Sequence, residues 1–173
     1  MQRVLVIGSP GAGKSTVATK LAAHTGLPLF HLDRLYWKAG WVAPDRAEFE
    51  KRLAAMTDQP RWIIDGNYGR TLSHRLTRAD TVIHLDLAPW LCVARALLRL
   101  IRSRGSVRSD MAPGCPERFD LSFLAFIARF RIDSRPRIEA KLAKFEGRRI
   151  RLQSPAQVRD FLDHLDHLAP DSQ

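Results

Sequence analysis

Four short apolar runs and several helical stretches alternate along this 173-residue chain. Residues 3–8 contain Val4-Leu5-Val6-Ile7, β-branched and continuous, the pattern of a strand buried on both faces. Residues 16–24 place Val17, Leu21 and Ala22 at helical spacing, and Gly26 with Pro28 reads as a helix stop. Residues 27–32 form a second strand ending in Asp33, and residues 62–66 a third ending in Asp65-Gly66. Residues 81–87 form a fourth strand, close to Asp86, and Arg149-Ile150-Arg151-Leu152 alternates as a fifth. Helices are expected over 71–78, 89–104, 117–132, onward to Glu146, and over 155–168. Pro89 stands where proline favours a helix start. Strands alternating with helices predict an α/β fold with a parallel sheet.

Two stretches interrupt this alternation. Residues 34–60 are aromatic-rich, with Tyr36, Trp37, Trp41 and Phe49, and form a small insert after strand two. Within it, Trp37-Lys38-Ala39-Gly40-Trp41 is too irregular for a helix, while Asp45 with Glu48 gives a capping box for a helix reaching about residue 57. The tryptophans either hold an acceptor molecule or pack the insert onto the body. Residues 104–118, rich in Gly, Pro, Ser and Arg, have the length and composition of a functional lid. Neither stretch has the character of a linker, so residues 1–173 are expected to form one domain.

The chemistry concentrates between the first strand and the first helix. Gly8-Ser9-Pro10-Gly11-Ala12-Gly13-Lys14-Ser15 fits G-x-x-x-x-G-K-[ST] at every defined position. Strand, glycine-rich loop and helix form the context that makes this pattern a phosphate site, the Walker A loop. Glycines let backbone N–H groups turn inward onto an anion, and the helix start adds its unpaired N–H groups. Gly8, Gly11, Ala12, Gly13, Lys14, Ser15 and Thr16 are therefore the expected nucleotide-binding residues. Lys14 would reach the β- and γ-phosphates, and the Ser15 hydroxyl would ligate Mg²⁺. Carboxylates at strand ends face the crevice where ligands bind in an open α/β sheet. Asp33 is thus an acceptor-side candidate unless it only caps a turn, and Asp65 is the candidate for ordering Mg²⁺ through its water shell. Asp86 ranks below both. Arg34 and Gly66 join the acceptor side, with Arg70 placed to grip an acceptor anion.

Charge refines this picture. The net charge is +10, but residues 95–151 alone hold 13 Arg and 2 Lys against 6 acids, a balance of +9. Arg95, Arg99 and Arg102 fall at i, i+4 and i+7 on one helix face. Such arginines suit phosphate, either in a nucleotide or along a nucleic acid. Hydrophobic content of 45% and charged content of 27% match a globular domain. No apolar run reaches the roughly 20 residues that span a bilayer, so no membrane contact is expected. No signal peptide precedes the first strand, and two cysteines make no disulfide framework. A cytoplasmic location is the expectation, with Cys92 a small core residue and Cys115 an incidental loop thiol.

This layout resembles the nucleoside-monophosphate-kinase type of P-loop kinases, which includes adenylate, shikimate and gluconate kinases. The resemblance implies a three-layer fold with a five-stranded parallel sheet in the order 2-3-1-4-5. Asp65-Gly66 with Arg70 is similar to the acceptor-site D-G-F-P-R of adenylate kinases, with the Arg one residue later and the Phe-Pro absent. Arg95 and Arg99 are similar to the Arg pair after strand four in those enzymes. That likeness implies packing on the donor base for the first and phosphate contact for the second. Over nearly the whole chain the sequence resembles bacterial FlaR-like DNA topology modulation proteins. That likeness is carried by His31-Leu32-Asp33, Leu35-Tyr36-Trp37, Gly40-Trp41, residues 64–68 and residues 110–118.

The reading that follows is an ATP-dependent kinase with Mg²⁺ as cofactor. Lys14, Asp33, Arg99 and Arg135 would be catalytic, with Arg129 an alternative to Arg135. The expected partners are a nucleoside triphosphate and a small-molecule acceptor, for a monomer or homodimer. The alternative is a nucleic-acid-associated regulatory NTPase affecting DNA topology. It would show DNA affinity falling steeply with salt, by about 0.9 in log K per phosphate contact for each unit of log[salt].

Overall fold

The computed structural model describes residues 1–102, 110–116 and 119–166. The expected lid lies partly outside the described residues; its segment 110–116 lies within them. The expected extensions of helices to residues 104 and 168, and a start at 117, also fall outside.

Five strands form one sheet, all parallel, in the order β2-β3-β1-β4-β5. They are β1 (Arg3–Gly8), β2 (Leu29–His31), β3 (Trp62–Asp65), β4 (Thr81–Leu85) and β5 (Arg148–Leu152). Between and after them run helices α1 (Lys14–Thr25), α2 (Leu32–Tyr36), α3 (Arg46–Thr57), α4 (Gly69–Arg78), α5 (Pro89–Arg102), α6 (Leu121–Asp133), α7 (Arg135–Leu142) and α8 (Pro155–Asp166). The α/β class, the five parallel strands and their order match the expectation.

Side-chain alternation along β1 builds the three layers. Val4 and Val6 enter a core with Val17 and Leu21 of α1, against which Val158, Phe161 and Leu162 of α8 pack. Leu5 and Ile7 enter the opposite core with Leu72 and Leu76 of α4, Phe130 of α6 and Ile138 of α7. Residues of opposite parity on one strand thus feed two separate cores, which is why the apolar runs are continuous. The registers His31↔Asp65 and Val6↔Asp65 set the ends of β2 and β3 side by side, with β1 running two residues beyond them into the glycine-rich loop.

Two expectations on the acceptor side change. The second strand ends at His31, and the chain turns at once into α2, so Asp33 stands in the first turn of a short helix. The Asp45 carboxylate caps α3 by accepting from the N–H groups of Ala47 and Glu48. Glu48 pairs with Lys38 and Arg52 instead of closing a capping box.

At the opposite end of the sheet, Asp80 joins the starts of β1 and β4. Its Oδ2 accepts from the N–H of Gln2 at 2.9 Å and of Arg3 at 2.8 Å, and its Oδ1 from the Thr81 hydroxyl at 2.8 Å. Partial burial works to raise its pKa, but these bonds and the charged N-terminus outweigh it and hold the carboxyl below its ordinary value. A depressed folded pKa means the unfolded chain binds the proton more tightly. The stabilisation is therefore complete above the unfolded pKa of about 3.9 and is lost as pH falls through the folded value. Asp80→Ala should cost about 1–2 kcal/mol in urea unfolding at pH 7, and the difference from wild type should shrink below about pH 4. A difference that stays constant down to pH 2 contradicts this role.

Candidate active site

The loop after β1 closes tightly because its walls leave no room for side chains. Gly11 has φ +79°, and a Cβ there would lie 2.3 Å from the carbonyl oxygen of Cys92 on α5. Only glycine fits that approach. The Ala12 N–H donates to Ser9 O at 3.1 Å, and α1 begins directly after Gly13. Lys14 Nζ donates to Ser9 O at 3.1 Å, so the ammonium lies across the loop's mouth. Arg95 Nη1 donates to Ala12 O at 3.3 Å, bringing α5 against the same loop.

Beside the loop stands Asp65, 5% exposed. Its Oδ2 accepts from the Ser15 hydroxyl at 2.7 Å and from His31 Nδ1 at 3.0 Å. A carboxylate oxygen can only accept, so Nδ1 is the protonated ring nitrogen here. Its Oδ1 is buried and, among the described residues, has no hydrogen-bond partner. A buried carboxylate oxygen without a protein donor is open to a cation or an ordered water. Ser15 Oγ and Asp65 are hard oxygen donors at the root of a phosphate loop, which fits Mg²⁺ held by one or two protein oxygens plus substrate phosphate.

The segment between β3 and α4 fixes the loop from the other side. Asn67 Oδ1 accepts from Gly8 N–H at 2.9 Å, and its Nδ2 donates to Gly8 O at 2.7 Å. One amide side chain thereby satisfies both backbone groups at the point where β1 becomes the loop. Arg75 of α4 is fully buried and gathers the carbonyls of this segment. Its Nη1 donates to Gly66 O at 2.9 Å, and its Nη2 donates to Asn67 O and, at 3.2 Å, to Tyr68 O. Burial pushes the Arg75 guanidinium down to about 9, so it remains charged at neutral pH. Tyr68 stands at φ +35° and donates its hydroxyl to Asp33 Oδ1 at 2.7 Å. Burial, and then the adjacent Asp33, push the Tyr68 phenol well above its ordinary range, so it stays a donor.

A roof covers the far end. Trp37 and Trp41 pack against Met111, Ala112 and Cys115. Gly40 N–H donates to Gly114 O at 2.9 Å, Trp41 Nε1 to Pro116 O at 3.2 Å, and Cys115 Sγ to Lys38 O at 3.2 Å. Cys115, expected as an incidental thiol, is buried as part of this contact. Cys92 is the small core residue expected.

One cleft of about 1340 Å³ joins these parts. Gly11, Ala12, Gly13, Lys14, Ser15, Thr16, Arg95 and Arg99 line one end, with Asp65 and Gly66 in the middle and Asp33 beyond them. Gly8 lies at the loop's root, below the lining. Arg34 and Arg70 are exposed and outside the cleft's wall. Arg135 also stands outside it. Its Nε lies 3.3 Å from Asp86 Oδ1 and 3.9 Å from Glu139, in a cluster that Arg151 completes at 2.5 Å from Asp86. Asp86 accordingly neutralises arginines. Arg129, the alternative to Arg135, pairs with Asp133 on an exposed face.

Sequence reasoning did not single out Asn67, Tyr68, His31 or Arg75 for the site. Only the shared strand-end position of His31 and Asp65 carried a signal. The bonds of Asn67 span 59 residues, and Arg75 looks like any helix arginine along the chain.

A parallel 2-3-1-4-5 sheet with a Walker A loop after its central strand is the fold of P-loop kinases. Comparisons with known proteins agree. No protein-family model matches the chain. Adenylate kinase of Clavibacter michiganensis subsp. michiganensis is 30% identical over 80 residues, 46% of this chain. The aligned stretch spans only 38% of that enzyme's length. Adenylate kinase 1 of Nostoc sp. is 29% identical over 151 residues, covering 65% of this chain and 82% of that protein. The solved shikimate kinase of Acinetobacter baumannii, in complex with shikimate, superposes with a TM-score of 0.61 at 16% identity. That superposition covers 97% of this chain and 92% of the other. Among the described residues, no helix is long and apolar enough to cross a membrane.

If Asn67 sets the loop's shape, Asn67→Ala should weaken Mg-ATP binding by up to about thirtyfold, since two hydrogen bonds at roughly 1 kcal/mol each are lost. Calorimetric titration of both proteins checks this, and unchanged affinity contradicts it.

Proposed function

We propose that this protein transfers the γ-phosphoryl group of Mg-ATP to a hydroxyl of a small acceptor. One observation carries the reading. The Ser15–Asp65 pair, with its unpartnered buried oxygen, stands at the root of the phosphate loop in a cleft that continues to Asp33. Phosphoryl transfer asks the protein mainly for positioning and charge stabilisation, and this cleft is built for both.

The loop's N–H groups and Lys14 hold the donor phosphates, for which Lys14 exchanges its contact with Ser9 O. Ser15 and Asp65 would hold Mg²⁺, which when bound would neutralise negative charge on the phosphates. His31 orients the Asp65 carboxylate. Asp33, itself oriented by the Tyr68 hydroxyl, accepts the acceptor's hydroxyl proton. The acceptor oxygen bonds to the γ-phosphorus as its bond to the β–γ bridging oxygen breaks, and ADP leaves. Arg99 neutralises charge on the transferring group, and Arg95 braces the loop through Ala12 O. Arg34, Arg70 and Arg135 have no part in this reading.

ADP release, measured with Mg-ATP against a panel of hydroxyl compounds, should be acceptor-dependent. Lys14→Ala should lower it about 10²–10³-fold, and Asp33→Asn about 10²–10⁴-fold. Full turnover by Asp33→Asn would refute the proton-acceptor role. Slow acceptor-independent release would point instead to an NTPase, and DNA binding with a steep salt dependence would then support the nucleic-acid reading.

A further inference from the structure

One cluster of charged groups lies outside the cleft, between the sheet and the elbow that joins α6 to α7. His84 of β4 is 3% exposed and stands beside Arg151 of β5 in the parallel register. Its Nδ1 lies 3.5 Å from Oε1 of Glu139 on α7. Asp86, just past β4, accepts from Arg151 Nε at 3.1 Å and from its Nη2 at 2.5 Å. Arg135 Nε approaches the other Asp86 oxygen at 3.3 Å. Glu139 Oε1 lies 3.9 Å from Arg135 Nε and 3.9 Å from Arg151 Nη2. Both ring nitrogens of His84, Arg135 Nε and Glu139 Oε1 are buried without a hydrogen-bond partner among the described residues. Two carboxylates balance two guanidinium groups here only while the imidazole is neutral.

Arg135 and Glu139 belong to the start of α7, which follows α6 after the single residue Ser134. The Ser134 N–H closes α6 on Phe130 O, and the Ile138 N–H opens α7 on Ser134 O. α6 in turn puts Phe123 and Phe126 on the wall of the cleft. The cluster therefore ties that wall to the sheet.

We propose that this cluster is a proton-sensitive clamp: with His84 neutral it holds the α6–α7 elbow on the ends of β4 and β5, and acid loosens the elbow and the wall that α6 carries. A protonated ring must draw Glu139 or Asp86 away from the arginines or admit water, and either change breaks the balance. Burial pushes the His84 imidazole below its ordinary value, outweighing the pull of Asp86 and Glu139, and Arg151 and Arg135 add to the push. An opened elbow returns the ring to water, where it takes its proton at about pH 6.5. The open form thus binds the proton more tightly. The closed form is fully favoured above about pH 6.5 and loses ground as pH falls below it.

Amide hydrogen exchange of the whole protein at about pH 7.5 and about pH 5.5, corrected for the intrinsic effect of pH on exchange, tests the clamp. A proton taken up only on opening, one pH unit below its free value, favours the open form about tenfold. Protection of α6 and α7 should fall about tenfold on acidification, while that of β1 and β3 stays level. His84→Gln, neutral at either pH, should show no such fall, which separates the ring from the two carboxylates. Arg135→Met, which removes one side of the clamp, should lower protection of α6 and α7 already at the higher pH. The inference is overturned if native protection of α6 and α7 is equal at both pH values, or if His84→Gln shows the full fall. It is also overturned if Arg135→Met leaves protection at the higher pH unchanged. Calorimetric titration with Mg-ADP reads the cleft wall and is the one arm that rests on the phosphotransferase reading. Affinity should drop on acidification by a larger factor in the native protein than in His84→Gln, and an equal drop in both would overturn the link to the cleft. The full exchange pattern with no Mg-ADP binding at either pH would leave the clamp standing and count against the phosphotransferase reading.

Discussion

The buried carboxylate of Asp65 is the constraint on which the rest of the site depends. A charge at 5% exposure is costly unless it is matched by donors and counter-charge. Ser15 from α1 and His31 from β2 meet one of its oxygens, and among the described residues the other has no partner. Three separate chain segments are drawn to a single point by this need. The sheet register delivers them, because His31 and Asp65 stand side by side at the ends of adjacent parallel strands and β1, paired with β3, runs two residues further into the loop that leads to Ser15.

Backbone polar groups impose the next layer. Leaving a strand for a tight glycine loop exposes N–H and C=O groups that no ladder can pair. Asn67 covers those of Gly8, and Arg75 covers three carbonyls of its own segment. A fully buried arginine held by carbonyls at its two terminal nitrogens, with Nε left without a partner among the described residues, is an expensive device. Its use here ties the acceptor-side turn to α4, and Asn67 ties that turn to the start of the glycine-rich loop. Tyr68, held at positive φ by the same turn, carries these ties across to Asp33.

Much of this was legible in the sequence. Continuous β-branched runs and glycine punctuation located the strands, and the Walker A spacing located the glycine-rich loop between β1 and α1 that carries Lys14 and Ser15. Asp65 was recognisable because a carboxylate at a strand end faces the crevice. What escaped was side-chain direction and long-range pairing. Arg34, Arg70 and Arg135 were plausible anion grips by position alone, yet two point to solvent and the third is bound to Asp86. Asn67 looked like an ordinary turn residue because its partner Gly8 is 59 positions away. Cys115 looked incidental because its burial depends on two tryptophans from a distant insert.

The central claim is that Asp65 and Ser15 hold the metal that accompanies the nucleotide. Asp65→Asn keeps an oxygen for Ser15 and His31 while removing the charge. ATP affinity, measured by calorimetry with and without Mg²⁺, tests the claim directly. The account predicts that Mg²⁺ tightens ATP binding about tenfold or more in the native protein and by little in the variant, with metal-free affinity preserved. A variant that keeps the full Mg²⁺ enhancement would contradict it.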